Sequence, residues 1–372
     1  MRQSLDLLDV RILANVDRYG PRNISAIARR LGVPYETVRK RMRRLVSRFF
    51  VKFPLNVYHT YIGLKKAFVF ADAVLGYEDV LFDCMKANGF WIYVGRYHGR
   101  CEGCYAIYTV PVDHLGQFEE FVHELGGTSV AQNVRLLWST CLHTVNATEN
   151  WFDSGSHRWV FNWKAWVEEI PDEGTELPLT LMEPEEFPIK ADEKDILILA
   201  ELEVDCTAKM KDIAKVLGMT PEAVGYHYYN HVLKRGLVEK PQVFFLRFDK
   251  AVSDFFVFIF RFDDVEKMAK FASSLLDKPF VYGLGRLLGE NGLIAHTYLP
   301  RREFGRFVRS LSGLVRRGLL KGYEYLIEDF DERGAQTISY EYFKDGTWIY
   351  NHGKHLENLR VAVEEAERIG SR

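Results

Sequence analysis

Asn23-Ile24-Ser25-Ala26-Ile27-Ala28-Arg29-Arg30-Leu31-Gly32-Val33-Pro34-Tyr35-Glu36-Thr37-Val38-Arg39-Lys40-Arg41-Met42-Arg43-Arg44-Leu45 is the stretch that decides the fold. Ile24, Ile27, Ala28 and Leu31 recur at helical spacing, so 23–31 reads as a short amphipathic helix. Gly32 ends it, because glycine tolerates the left-handed backbone of a tight turn. Pro34 opens a second helix at a first-turn position, where its missing N–H costs nothing, and Val38, Met42 and Leu45 point inward. A small residue at the helix crossing, a turn glycine and a branched residue on the second helix are the parts of a helix-turn-helix.

The pattern returns as Ala214, Gly218 and Val224. Sliding the chain against itself brings Asp9–Leu13 onto 195–199 at an offset of 186 and Phe50-Val51 onto Leu237-Val238 at 187. Trp159-Val160-Phe161-Asn162 falls on Trp348-Ile349-Tyr350-Asn351 at 189. Register kept over so long a span reads as a tandem duplication. After each helical unit the order is strand, helix, two strands, helix, strand: 65–74, 77–88, 90–98, 103–110, 113–125 and 130–144, then 254–262, 265–276, 280–288, 292–299, 301–319 and 323–327. The expected class is α+β, with two winged helix-turn-helix domains and two ferredoxin-like βαββαβ domains in tandem. The expected boundaries are 1–52, 53–168, a proline-rich acidic linker over 169–190, 191–242 and 243–372. One face of each sheet needs cover, from the other copy or from another chain. The tails 151–166 and 340–356 are expected to dock through their apolar residues.

Length and composition fit this plan. A chain of 372 residues exceeds one comfortable core, and 47% hydrophobic with 27% charged residues describes a globular protein. No apolar run reaches a membrane span and the N-terminus has no signal-like core, so no membrane partner and a cytoplasmic location are expected. Five cysteines do not make a disulfide framework.

The net charge of −2 is uninformative, but its distribution is not. Residues 29–52 hold nine basic side chains against the single acid Glu36, a surplus suited to phosphate neutralisation and major-groove contacts on duplex DNA. The candidate DNA-binding residues there are Arg29, Arg30, Tyr35, Thr37, Arg39, Lys40, Arg43 and Arg44. The matching window 215–238 holds Lys215, Lys234 and Arg235 against Glu222. Its candidates are Tyr226, His227 and Asn230, which suit either DNA or a protein partner such as a general transcription factor.

Leu5-Asp6 and Asp9-Val10-Arg11-Ile12-Leu13, followed by the helix-turn-helix and the sandwich, resemble the Lrp/AsnC (feast/famine) regulators, here in a tandemly duplicated, archaeal-like form. The resemblance implies a transcription regulator whose sandwiches form a homodimer or higher oligomer and sense a small effector. The effector loops align with Gly95-Arg96-Tyr97-His98-Gly99-Arg100-Cys101-Glu102 and Gly285-Arg286-Leu287-Leu288-Gly289-Glu290. Both lack the family's aspartate, and Arg96, His98, Arg100 and Arg286 are the effector-binding candidates. Siroheme decarboxylases look like Lrp/AsnC proteins with the same modules, so an enzyme using Arg96, His98 and Arg100 on tetrapyrrole carboxylates is the alternative. The basic recognition helix favours the regulator, with no catalytic residues, no cofactor and no metal expected. Cys101 and Cys104, with Cys141 and His143, have metal-ligand spacing but read as incidental, and Gly283–Gly289 reads as a hairpin rather than a dinucleotide loop.

Overall fold

A computed structural model describes residues 4–99 and 101–370. The first helical unit is α1 (Leu7–Tyr19), α2 (Ile24–Leu31) and α3 (Tyr35–Phe49), followed by β1 (Leu55–Val57). Next come β2 (Leu64–Ala73), α4 (Glu78–Lys86), β3 (Trp91–His98), β4 (Gly103–Pro111), α5 (Leu115–Gly126) and β5 (Ala131–Ser139). A connecting segment holds β6 (His143–Thr144), the hairpin β7 (Phe152–Asp153) and β8 (Arg158–Trp159), and α6 (Trp163–Glu169). The order then repeats: α7 (Glu193–Val204), α8 (Met210–Leu217), α9 (Pro221–His227), β9 (Val238–Pro241), β10 (Ser253–Arg261), α10 (Val265–Ser273), β11 (Val281–Leu287), β12 (Gly292–Pro300), α11 (Arg301–Arg316) and β13 (Gly322–Ala335). The chain closes with β14 (Phe343–Lys344), β15 (Thr347–Trp348) and α12 (His352–Gly370).

Each β-α-β-β-α-β run makes four antiparallel strands, and the two sets join edge to edge. β13 pairs with β3, β5 touches β11 at Ser139 and Leu287, and β12 bonds to both β10 and β11. Eight strands therefore close into a barrel. The alternation of side chains along a strand sends one set inward and the other toward the helices. Phe68, Phe70, Tyr105, Ile107, Val257, Ile259 and Ile294 fill the interior. Outside, α4 and α5 pack Leu81, Met85, Phe118 and Phe121 on the first four strands, while α10 and α11 pack Phe271, Phe307 and Leu311 on the second four.

Closure explains two departures from the expected strands. β13 runs to residue 335 rather than 327, because its first half bonds to β10 and its second half to β3. The strand expected over 130–144 breaks after Ser139, where the chain leaves β2 and re-forms as β6 on β11.

The linker expected to be extended and solvated is partly packed. Ile170 and Leu181 are buried in the second half's core, alongside Trp163 and Trp166 of α6. Apolar side chains placed among the prolines anchor the segment. The tails are exchanged: Trp163 and Trp166 of the first half pack on Phe280, Phe307 and Phe271 of the second. Tyr342, Trp348 and Tyr350 of the second half surround Phe90 of the first. The helical units also meet, through β1 against β9 and through Arg22, which donates to the carbonyl of Cys206 at 2.7 Å. Among the described residues no helix is long and apolar enough to cross a membrane.

A Cβ on Gly103 would lie 2.4 Å from the carbonyl oxygen of Ala71 on the neighbouring strand. Gly103→Ala is therefore expected to lower stability by about 1–3 kcal/mol through forced strand movement, read as a shifted urea midpoint at constant slope. An unchanged midpoint would show that β2 and β4 part without cost.

Candidate functional site

The first helical unit is held by a capping box at the start of α1. Asp6 accepts from the N–H of Asp9, and Asp9 from that of Asp6, at 2.9 and 3.1 Å. Asp9 is completely buried, so its charge must be matched locally. Arg41 Nη1 donates to Asp6 at 2.5 Å and to Asp9 at 2.9 Å, and Arg44 Nη2 donates to Asp9 at 2.5 Å. Burial alone would raise the Asp6 pKa, but the Arg41 and Asp9 N–H hydrogen bonds outweigh it and hold the carboxyl below its usual range. Gly32 takes φ 66°, the left-handed turn its position requires, and Pro34 is the N-cap of α3 rather than its first helical residue.

This packing sorts the nine basic residues. Arg41 and Arg44 are spent on the capping box, and Arg39 pairs with Glu36 at 2.6 Å. Arg29, Arg30, Lys40, Arg43, Arg48 and Lys52 are exposed and form no ion pair among the described residues. Tyr35 is exposed beside them and Thr37 is half-buried. The expectation that Arg44 faces DNA is corrected, since a buried carboxylate holds it.

In the second unit the box is Asp192 and Asp195, with Asp195 fully buried. α9 is followed by a π-helical turn over Tyr228–Leu233. His227 is buried with Nδ1 2.7 Å from Asp195, so its expected DNA contact is corrected for the same reason. Tyr226 is exposed, and Asn230 is half-buried, donating to the carbonyl of Tyr226 and accepting from Lys234.

The effector candidates do not form one pocket. Arg96 and His98 sit on β3 at its seam with β13, while Arg286 lies on β11 at the other seam, 3.5 Å from Glu183. Arg100 lies outside the described residues. Arg96 pairs with Asp79. His98 bonds Glu102 through Nδ1 and Asp329 through Nε2, the latter at 3.2 Å. The Glu102 hydrogen bond raises the His98 pKa, with burial opposing and Asp329 adding to the rise. Cys101 and Cys104 point apart, Cys101 toward Asp72 and Cys104 into the helix-side core.

Sequence reasoning missed the polar groups inside the barrel. Lys66 is buried, and burial lowers its pKa. The His296 ring packs against Phe68 and Tyr105 with centroids 6.0 Å from each, its Nε2 without a partner among the described residues. Burial, with the Lys66 charge, pushes its pKa down to about 4. Glu328 is buried and accepts from Tyr93 and, at 2.9 Å, Tyr105; burial raises its pKa against those hydrogen bonds. The signal for Lys66 was present: period-two spacing puts it on the face of Phe68 and Phe70.

Comparison with known proteins follows this division into parts. The AsnC-type helix-turn-helix domain matches residues 192–226, which run from the α7 cap into α9. The resemblance to Lrp/AsnC proteins thus stands on the second unit. A search of curated proteins returns no match in sequence. Among solved structures, the siroheme decarboxylase NirDL is similar over 97% of this chain and 99% of its own, at TM-score 0.55 and 10% identity. The same decarboxylase in complex with an iron-uroporphyrin III analogue gives 0.53 and 11%, over 96% of this chain and 98% of its own. LrpC of B. subtilis covers 36% of this chain and 95% of its own, at 0.31 and 17%. At such identity the full-length likeness shows the fold. It also corrects the expectation of a chain without catalytic activity, because the protein whose structure is similar over nearly the whole chain is an enzyme.

His98 carries a pH prediction. Its folded pKa is raised, so its ion pairs contribute stability in full below the ordinary histidine value of about 6.5, and lose it as pH climbs through the folded value. An NMR titration of the His98 ring is expected to show a midpoint above that value, lowered by Glu102→Gln or Asp329→Asn. A midpoint indifferent to both variants would remove the two carboxylates as its cause.

Proposed function

We propose that the chain comprises two winged helix-turn-helix units and two ferredoxin-like sandwiches from a tandem duplication, and that it binds duplex DNA mainly through the first unit. The observation that carries this is the surplus left once the fold has taken its share. Six exposed cations on and beside α3 form no ion pair among the described residues, and such a surface neutralises phosphates and reaches base edges. Tyr35, Thr37, Lys40 and Arg43 lie on α3, and Arg29 and Arg30 on α2. In the second unit Arg235 lies 3.7 Å from Asp195 and Lys234 is held by Asn230, so its part is the smaller one. Its exposed Tyr226 and Tyr229 suit a protein surface, such as that of a general transcription factor. The outer strands of the two halves meet each other within the chain, so a homodimer would form chiefly through other surfaces of the sandwich layer. An effector held jointly by Arg96, His98 and Arg286 is not supported, because the two seams separate them.

Removing the charges tests this. With six phosphates neutralised, DNA affinity is expected to fall roughly a thousandfold between about 50 and 200 mM salt. Arg43→Ala should weaken binding by about 1–3 kcal/mol if it reads a base, whereas Arg41→Ala should chiefly lower stability. Salt-independent binding, or an Arg43→Ala variant that binds as tightly as the parent, would refute the assignment.

The whole-chain fold favours a second reading, a decarboxylase acting on a siroheme-like tetrapyrrole. Side chains fill the barrel interior, which leaves the outer face of the β3–β13 seam for such a substrate. There His98, whose pKa Glu102 and Asp329 raise, could supply the proton taken up by the carbon that loses CO2. Arg96 beside it could pair with a carboxylate in exchange for Asp79. Incubation with siroheme under anaerobic conditions is expected to release CO2 and shift the Soret band, with both effects lost in His98→Asn. No CO2 from protein that shifts the band would leave binding without this chemistry.

A further inference from the structure

The two helical units meet one electrostatic requirement with different side chains. Each opens on a pair of capping carboxylates, Asp6 and Asp9 or Asp192 and Asp195, whose second member is fully buried. In the first unit two guanidinium groups from α3 cover the pair. In the second, the α9 and π-turn positions facing the carboxylates are His227 and His231. Their Nδ1 atoms lie 2.7 and 3.0 Å from Asp195 Oδ1, and 3.6 and 3.5 Å from Asp192 oxygens. The four donor atoms all fall within 4.8 Å of one another.

We propose that Asp192, Asp195, His227 and His231 bind a divalent transition-metal ion, with zinc best matched, which fastens the recognition helix of the second unit to its first helix. Charge is the first reason. Two arginines bring two permanent positive charges to the first pair, whereas imidazoles carry no permanent charge, and the nearest guanidinium, that of Arg235, stands 3.7 Å off and partly in solvent. A divalent ion supplies the missing charge. Donor chemistry is the second: two imidazoles and two carboxylates make a borderline N2O2 set suited to tetrahedral zinc. Zinc bonds of about 2.0–2.2 Å place tetrahedral ligands roughly 3.4 Å apart, and the histidine–aspartate spacings of 2.7–3.6 Å straddle that value.

The backbone supports the site in two ways. The N–H groups of Asp192 and Asp195 bond the opposite carboxylate at 3.0 Å each, fixing both donors from outside. The π turn is the other. The sequence offset grows from 186 at Val38 and Val224 to 187 at Val51 and Val238, and the extra residue falls within Tyr228–Leu233. At an offset of 187 His231 takes the place of Arg44 rather than of Leu45, so the insertion turns it onto the carboxylates. Single π turns inside helices recur at functional sites.

Zinc ion alone, titrated into chelator-stripped full-length protein, tests this by calorimetry and by thermal melting. The expected result is one equivalent bound and a raised Tm, with cobalt giving the ligand-field absorption of a tetrahedral site. Because His231→Ala may fail to fold, the decisive variant is His227→Arg/His231→Arg, which restores the first unit's cations. It is expected to fold without metal, to bind no zinc and to melt independently of it. Absence of stoichiometric binding in the parent overturns the proposal. So does one equivalent retained by the double variant, which would place the metal elsewhere, at the cysteines for example.

Discussion

A strand edge with unpaired N–H and C=O groups must find a partner, and in this molecule each half supplies the other's. β3 and β5 are the outer strands of the first four, and β13 and β11 are those of the second. Pairing β3 with β13 along its length and β5 with β11 at Ser139 and Leu287 joins the four outer strands. Once the edges are joined, the inward faces are enclosed and must be apolar, as Phe68, Phe70, Val257 and Ile259 are. The outward faces then need helices, and the ends of the strands need caps.

The exchanged tails follow from the same closure. The chain leaves β5 beside β11, so the segment after it lies naturally against the second half, where Trp163 and Trp166 enter the core under α10 and α11. It leaves β13 beside β3, and Tyr342, Trp348 and Tyr350 reach Phe90 in the same way. Each half is thus finished by residues of the other. Polar groups inside the barrel also answer across halves: Glu328 of β13 accepts from Tyr93 and Tyr105, and His296 of β12 packs on Phe68.

Much of the element order was readable because it rests on local patterns. Helical spacing in Ile24–Leu31, turn glycines at 32 and 218, and alternation along β2 and β10 each act over a few residues. What was not readable depends on contacts distant in sequence. The length of β13 is set by β3, more than 200 residues earlier. The split between structural and exposed arginines was hidden because Arg41 and Arg43 look alike until α1 is placed against α3 and Asp9 claims one of them. The cluster of Asp192, Asp195, His227 and His231 was hidden in the same way, because its carboxylates come from the start of α7 and its imidazoles from α9 and the turn after it. Arg96, His98 and Arg286 were grouped by their matching loops, yet closure of the barrel puts those loops on different seams.

The difference between the two helical units therefore begins in the interior rather than on the surface. A buried carboxylate at the start of the first helix requires positive charge from the recognition helix, whatever that helix does outside. The first unit meets the requirement with Arg41 and Arg44 and still carries six exposed cations outward. The second places His227 and His231 against its aspartates, and one inserted residue, taken up in a π turn, brings His231 in. Tyr229, within that turn, is exposed. A difference in how one buried aspartate is covered thus comes with a different outer face on the same helix, cations in the first unit and Tyr226 and Tyr229 in the second, so the two units do not present the same surface to a partner.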